Sequence, residues 1–141
     1  MSFSKKEVSI LIEIIFSVLF AVFFMPYFYE NRLNSFDFND NAGKIIQIVV
    51  FSAIYFSLAY SILALTYKEK IIQDERDDLI SSKSYKLGYL LYELSLFLFI
   101  GILASDSSFQ NSGPITFILL LILLIVSFIK SVFQLYLYRT S

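Results

Sequence analysis

Four long apolar runs constrain this chain more than any other feature. They cover 8–28, 45–67, 87–104 and 115–138, and each holds at most one charged residue: Glu13, none, Glu93 and Lys130 in turn. About 20 apolar residues suffice for an α-helix to cross the hydrocarbon of a bilayer. Four such runs in 141 residues leave too little polar surface to cover a soluble core. Charged residues are 16% of the chain, against roughly a quarter in ordinary soluble domains. The expected fold is all-α: one membrane domain, 1–141, built as an integral four-helix bundle.

Breakers fall between the runs. Pro26 lies near the end of the first. Asn39, Asp40, Asn41 and Gly43 read as a turn before the second. Ser105 to Gly113 reads as a polar turn, closed by Pro114 in the first turn of the last helix. The first run is too long for a signal-peptide core and is followed by Met25-Pro26-Tyr27, not by a small-residue cleavage site. It is expected to stay as the first span.

Basic residues set the orientation. Lys5, Lys6, Lys68, Lys70, Arg76, Lys83, Lys86 and Arg139 fall on one side, against Arg32 and Lys44 on the other. The positive-inside rule places both termini and the loop 68–86 in the cytoplasm. Tyr27 and Tyr29 at one end, and Tyr67, Tyr85, Tyr89, Tyr136 and Tyr138 at the other, suit the headgroup level. Tyr55 and Tyr60 fall inside the second run and are expected to pack or hydrogen-bond between helices. Ala53, Ser57 and Ser61 share one face of that run, a packing signal for a helix of the same chain or of a second copy.

The three intramembrane charges lie at similar depth. At 1.5 Å per residue, Glu13 is about 8 Å, Glu93 about 9 Å and Lys130 about 12 Å from the cytoplasmic end of its run. Ser127 and Gln134 share a face with Lys130. An isolated charge in hydrocarbon costs about 2.5–3.5 kcal/mol on insertion scales. Three readings follow: a polar site for a proton or cation, a buried pair of Lys130 with Glu13 or Glu93, or side chains reaching the headgroups.

Between the second and third runs, Asp74-Glu75-Arg76-Asp77-Asp78 opens a segment expected to be helical and continuous with the third span. Ile71, Ile72, Leu79 and Ile80 recur there at two helical turns. The acidic run lacks the Gly-bent spacing of a calcium loop, so no metal is expected. Its excess of acid suggests a docking surface for a cytoplasmic protein. The run Asp74-Glu75-Arg76-Asp77, followed by Leu79-Ile80, Lys83 and a span, resembles a family of small four-helix bacterial membrane proteins of unknown function, which carry a similar Asp-Glu-Arg signature between their second and third spans. The resemblance covers about 30 residues and implies a fold, an inner-membrane location and a cytoplasmic regulatory protein as partner, with no activity attached.

Function classes narrow by elimination. The chain has no Cys and no His, which removes thiol nucleophiles, imidazole bases and the usual zinc and haem ligands. It has no Gly-rich phosphate loop, and no Asp lies within a span. Neither an enzyme nor a cofactor is expected. A net charge of −1 gives no field for nucleic acid. The leading expectation is a membrane protein that docks or regulates a cytoplasmic partner through 68–86. The alternatives are a small oligomeric transporter or ion conductor using Glu13, Glu93 and Lys130, and immunity to a membrane-active toxin.

Overall fold

The computed structural model describes residues 3–31, 38–67, 74–105 and 112–140, without the side chains of 38–41, 105, 112 and 113. Every regular element among them is α-helical: α1 (Lys5–Phe23), α2 (Met25–Glu30), α3 (Phe38–Thr66), α4 (Glu75–Ser105) and α5 (Ser112–Thr140). Three stretches are long and apolar enough to cross a membrane: Ala42–Thr66, Glu75–Ala104 and Pro114–Thr140.

The first run differs, for a local reason. Pro26 sits in the opening turn of α2, where its missing N–H is tolerated, and the helix breaks just before it at Phe24 (φ −109°, ψ −35°). α1 keeps Lys5, Lys6, Glu7 and Glu13 within its 19 residues, so neither piece is a long apolar helix on its own. α1 starts on a reciprocal cap. The Ser4 hydroxyl accepts from the Glu7 N–H (3.3 Å), and the Ser4 N–H donates to Glu7 Oε2 (2.8 Å).

Two expectations change in the structure. The stretch Asn39 to Gly43 is helical, because α3 already begins at Phe38. Asn and Asp suit the opening of a helix as well as a turn, and here the helix prevails. The residues flanking the last connection, Ser105, Ser112 and Gly113, are likewise helical. The helix opened by the acidic run does continue unbroken through the third span, 31 residues in all. Residues 68–73, with Lys68, Lys70, Ile71 and Ile72, and residues 32–37, with Arg32, lie outside the description, as does 106–111.

α5 is the hub. It packs against α4, α1 and α2, whereas among the described residues α3 packs against α1 alone. Tyr55 explains the α1–α3 seam. Its hydroxyl donates to the Ile12 carbonyl (2.7 Å), and its ring joins Phe16, Phe51 and Phe56, with Phe16 to Phe56 at 4.7 Å. Tyr60 instead stacks on Phe56 of its own helix. The apolar core is small, with Ile10, Phe24, Leu63, Ile80, Phe99 and Val126 among its members, and large apolar side chains cover the outside. Lipid would solvate such a surface, and water would not.

Ala53, Ser57 and Ser61 lie on an exposed face of α3. Ser57 and Ser61, with Phe56, Tyr60 and Ala64, form a shallow open groove in which no helix of the described residues is seated.

Candidate functional site

The structure brings together two of the three charges expected within the spans. Lys130 Nζ lies 3.6 Å from Glu13 Oε2, across the α1–α5 seam, and Ser131 Oγ donates to the same oxygen at 3.3 Å. The Lys130 nitrogen also stands 4.9 Å above the Tyr85 ring, a cation–π contact from α4. Gly88 makes that position available: a Cβ there would sit 3.4 Å from Lys130 Cγ, so the lysine stem lies against bare α4 backbone. Ser17 lies one turn on from Glu13 and returns its hydroxyl to the Glu13 carbonyl (3.2 Å).

Glu93 is not part of this group. It is exposed on α4, where Oε1 accepts a hydrogen bond from the Tyr89 hydroxyl at 2.7 Å. Of the residues that share a face with Lys130, Ser127 meets the Tyr92 hydroxyl (3.2 Å), and Gln134 lines a cleft one turn nearer the chain terminus.

That cleft, about 250 Å³, runs between α1, α4 and α5 toward Glu13. Its walls carry Lys6, Ser9, Glu13, Asp77, Ser81, Tyr85, Gln134 and Tyr138, so acceptor oxygens and phenol rings dominate. One helical turn deeper the lining becomes apolar, with Phe16, Phe20, Leu120, Leu123 and Leu124 around a second cleft of about 330 Å³.

The mouth of the polar cleft is tied shut on one side by the charges of the helix ends. Asp74 and Asp77 cap α4 reciprocally: the Asp77 N–H donates to Asp74 Oδ1 (2.9 Å), and the Asp74 N–H to Asp77 Oδ2 (3.2 Å). Asp77 is buried and forms an ion pair with Lys6 of α1. Arg76 donates to the Tyr138 carbonyl at the end of α5 (3.0 Å). Glu7, the capping acid of α1, takes Arg139 Nε at 2.7 Å. The Ser4 backbone N–H, then the Ser4 hydroxyl and Arg139, hold the Glu7 carboxyl below its ordinary range against a counteracting effect of burial. The acid at the third position of each of two helices therefore serves twice, once on its own helix and once on a neighbour.

This arrangement gives the acidic run work inside the molecule. Asp74, Arg76 and Asp77 act on the fold, while Glu75 and Asp78 are exposed at the start of α4. Ile80 is buried at 3%, and Leu79 faces outward at 62%.

Sequence reasoning placed Glu13 and Lys130 in one layer but missed Ser131, Tyr85 and Gly88, whose contacts depend on which helices are neighbours. It missed the two caps as well, whose signal is the spacing Ser4-x-x-Glu7 and Asp74-x-x-Asp77. Among the described residues no group of acids gathers to hold a metal ion. No protein-family model, curated protein or solved structure matches the chain.

Proposed function

We propose that this chain is a non-enzymatic, four-span protein of the bacterial inner membrane, with both termini cytoplasmic, that admits a proton or small cation from the cytoplasm to Glu13. One observation carries the reading: the Glu13 carboxylate lines the polar cleft, while its counter-ion Lys130 is drawn aside over the Tyr85 ring. A separation of 3.6 Å between ammonium and carboxylate is longer than a tight charged hydrogen bond. An incoming cation can share or take that oxygen at modest cost. Beyond Glu13 the lining turns apolar, so the described residues support a binding step in the cytoplasmic half, and passage across the outer half would need a second copy or a rearrangement.

The four-span reading is supported by the first run as well. α1 and α2 together span 5–30, and α2 packs on α5, as a helix that continues across the bilayer would. Docking of a cytoplasmic protein through 68–86 is the second reading, supported by exposed Glu75, Lys83 and Lys86 on α4. The test is flux. Purified protein in liposomes should pass protons or a monovalent cation under an imposed potential, and Glu13→Gln should abolish the flux. Absence of flux from folded native protein, or full flux from Glu13→Gln, would refute the transport reading.

A further inference from the structure

Glu13 and Glu93 are chemically alike and lie at similar depth, yet the bundle treats them differently. Glu13 opens into the cleft between α1, α4 and α5, its side chain 41% exposed, and has Lys130 and Ser131 beside it. Glu93 faces outward, on a side of α4 where its neighbours are Tyr89, Leu90, Leu94 and Phe97, exposed at 63, 52, 61 and 73%. The Tyr89 hydroxyl is its hydrogen-bond donor, and among the described residues no cation reaches it. Lys86, the nearest basic residue toward the helix start, lies seven positions away, about 10 Å along the axis. A glutamate side chain is too short to cover that distance, so in a bilayer this carboxylate would face lipid.

We infer that the Tyr89–Glu93 face of α4 is a docking surface for a transmembrane helix of another protein that carries a Lys or Arg in its cytoplasmic half. Charge complementarity selects that occupant. A carboxylate against hydrocarbon is costly alone, and a cation brought to it within the bilayer offsets the cost. A second copy of this chain does not supply the cation. Within 45–67, 87–104 and 115–138 the sequence holds one, Lys130, and it is turned inward to Glu13. Two copies meeting through this face would oppose carboxylate to carboxylate. The Tyr89 hydroxyl orients the Glu93 oxygen and leaves its other lone pairs for an incoming donor. The apolar neighbours supply the flanking surface for helix packing.

The experiment uses the full chain in phosphatidylcholine vesicles, labelled at Ser82→Cys, which is exposed on α4 in a chain with no other Cys. The probe is a Leu/Ala single-span peptide bearing one Lys at the depth of Glu93 and a matching label for energy transfer. The control peptide has Gln in place of Lys. The Lys peptide should associate about tenfold more tightly than the Gln peptide, the scale of a polar contact between transmembrane helices. That preference should vanish in Glu93→Gln, weaken in Tyr89→Phe and persist in Glu13→Gln. Equal association of the two peptides, or a preference that survives Glu93→Gln, would overturn the inference. Self-association of the labelled chain that depends on Glu93 would overturn it too, in favour of a second copy.

Discussion

Replacing Asp77 by Asn tests the clasp at the mouth of the cleft. The substituted amide keeps an oxygen for the Asp74 N–H, so the cap survives, but the charge opposite Lys6 is lost. A hydrogen bond to a charged group is typically worth about 1.5–3 kcal/mol. The Lys6 side chain retains 24% exposure and can recover part of its solvation, which places the expected loss near the lower end, about 1.5–2 kcal/mol. Asp77→Ala also removes the acceptor of the Asp74 N–H while keeping the bond from the residue 77 N–H to Asp74, adding at most about 1 kcal/mol. The assay is unfolding in mixed micelles with increasing SDS, followed by helical circular dichroism. Lys6→Met should cost about as much as Asp77→Asn, and the double variant should cost clearly less than the sum, since neither partner then remains buried alone. Native-like unfolding of Asp77→Asn, or strict additivity in the double variant, would refute the reasoning and return Asp77 to the surface.

Two further perturbations bear on the membrane reading and the site. In single-Cys variants, Cys in place of exposed Glu30 should react with an impermeant maleimide on intact cells, and Cys in place of exposed Ser82 should react only after the membrane is opened; the reverse pattern would invert the topology. Gly88→Leu should displace the Lys130 stem from bare α4 backbone, lowering stability by about 1–3 kcal/mol, as overpacking does, and reducing flux. A native-like SDS midpoint for that variant would show that the stem lies elsewhere.

The helices were legible because long apolar runs have few alternatives. The interruption at Phe24 was not, since 8–28 reads as one span with Pro26 near its end, and the apolar pattern runs through the break. The common level of Glu13 and Lys130 along their helices was legible, since rise per residue is constant. Direction around the axis was not. In α4 the inward stripe is Asp77, Ile80, Ser84 and Gly88, at spacings of three and four, while Leu90, Leu94 and Phe97 face out. That stripe is less apolar than the face it opposes, so a search for an apolar core face points the wrong way. The pairing of Glu13 with Lys130 and not Glu93 follows from α1 lying beside α5, a neighbour relation that no local pattern encodes. The start of α3 at Phe38 was missed because Asn39, Asp40, Asn41 and Gly43 serve turns and helix openings alike.

The seam between α1 and α5 joins segments far apart in the chain, with Glu13 and Ser131 lying 118 positions apart. A ribosome delivers these partners at well-separated times. On the proposed four-span reading, Glu13 enters the bilayer before either Lys130 or Ser131 is made, and an unpaired charge there costs up to about 2.5–3.5 kcal/mol on insertion scales. Arg139, which pairs with Glu7, is made later still. Nascent chains stalled before α5 should be the ones that lean on the insertion machinery or are degraded. Once α5 is made, the α1–α5 seam supplies those partners from within the chain.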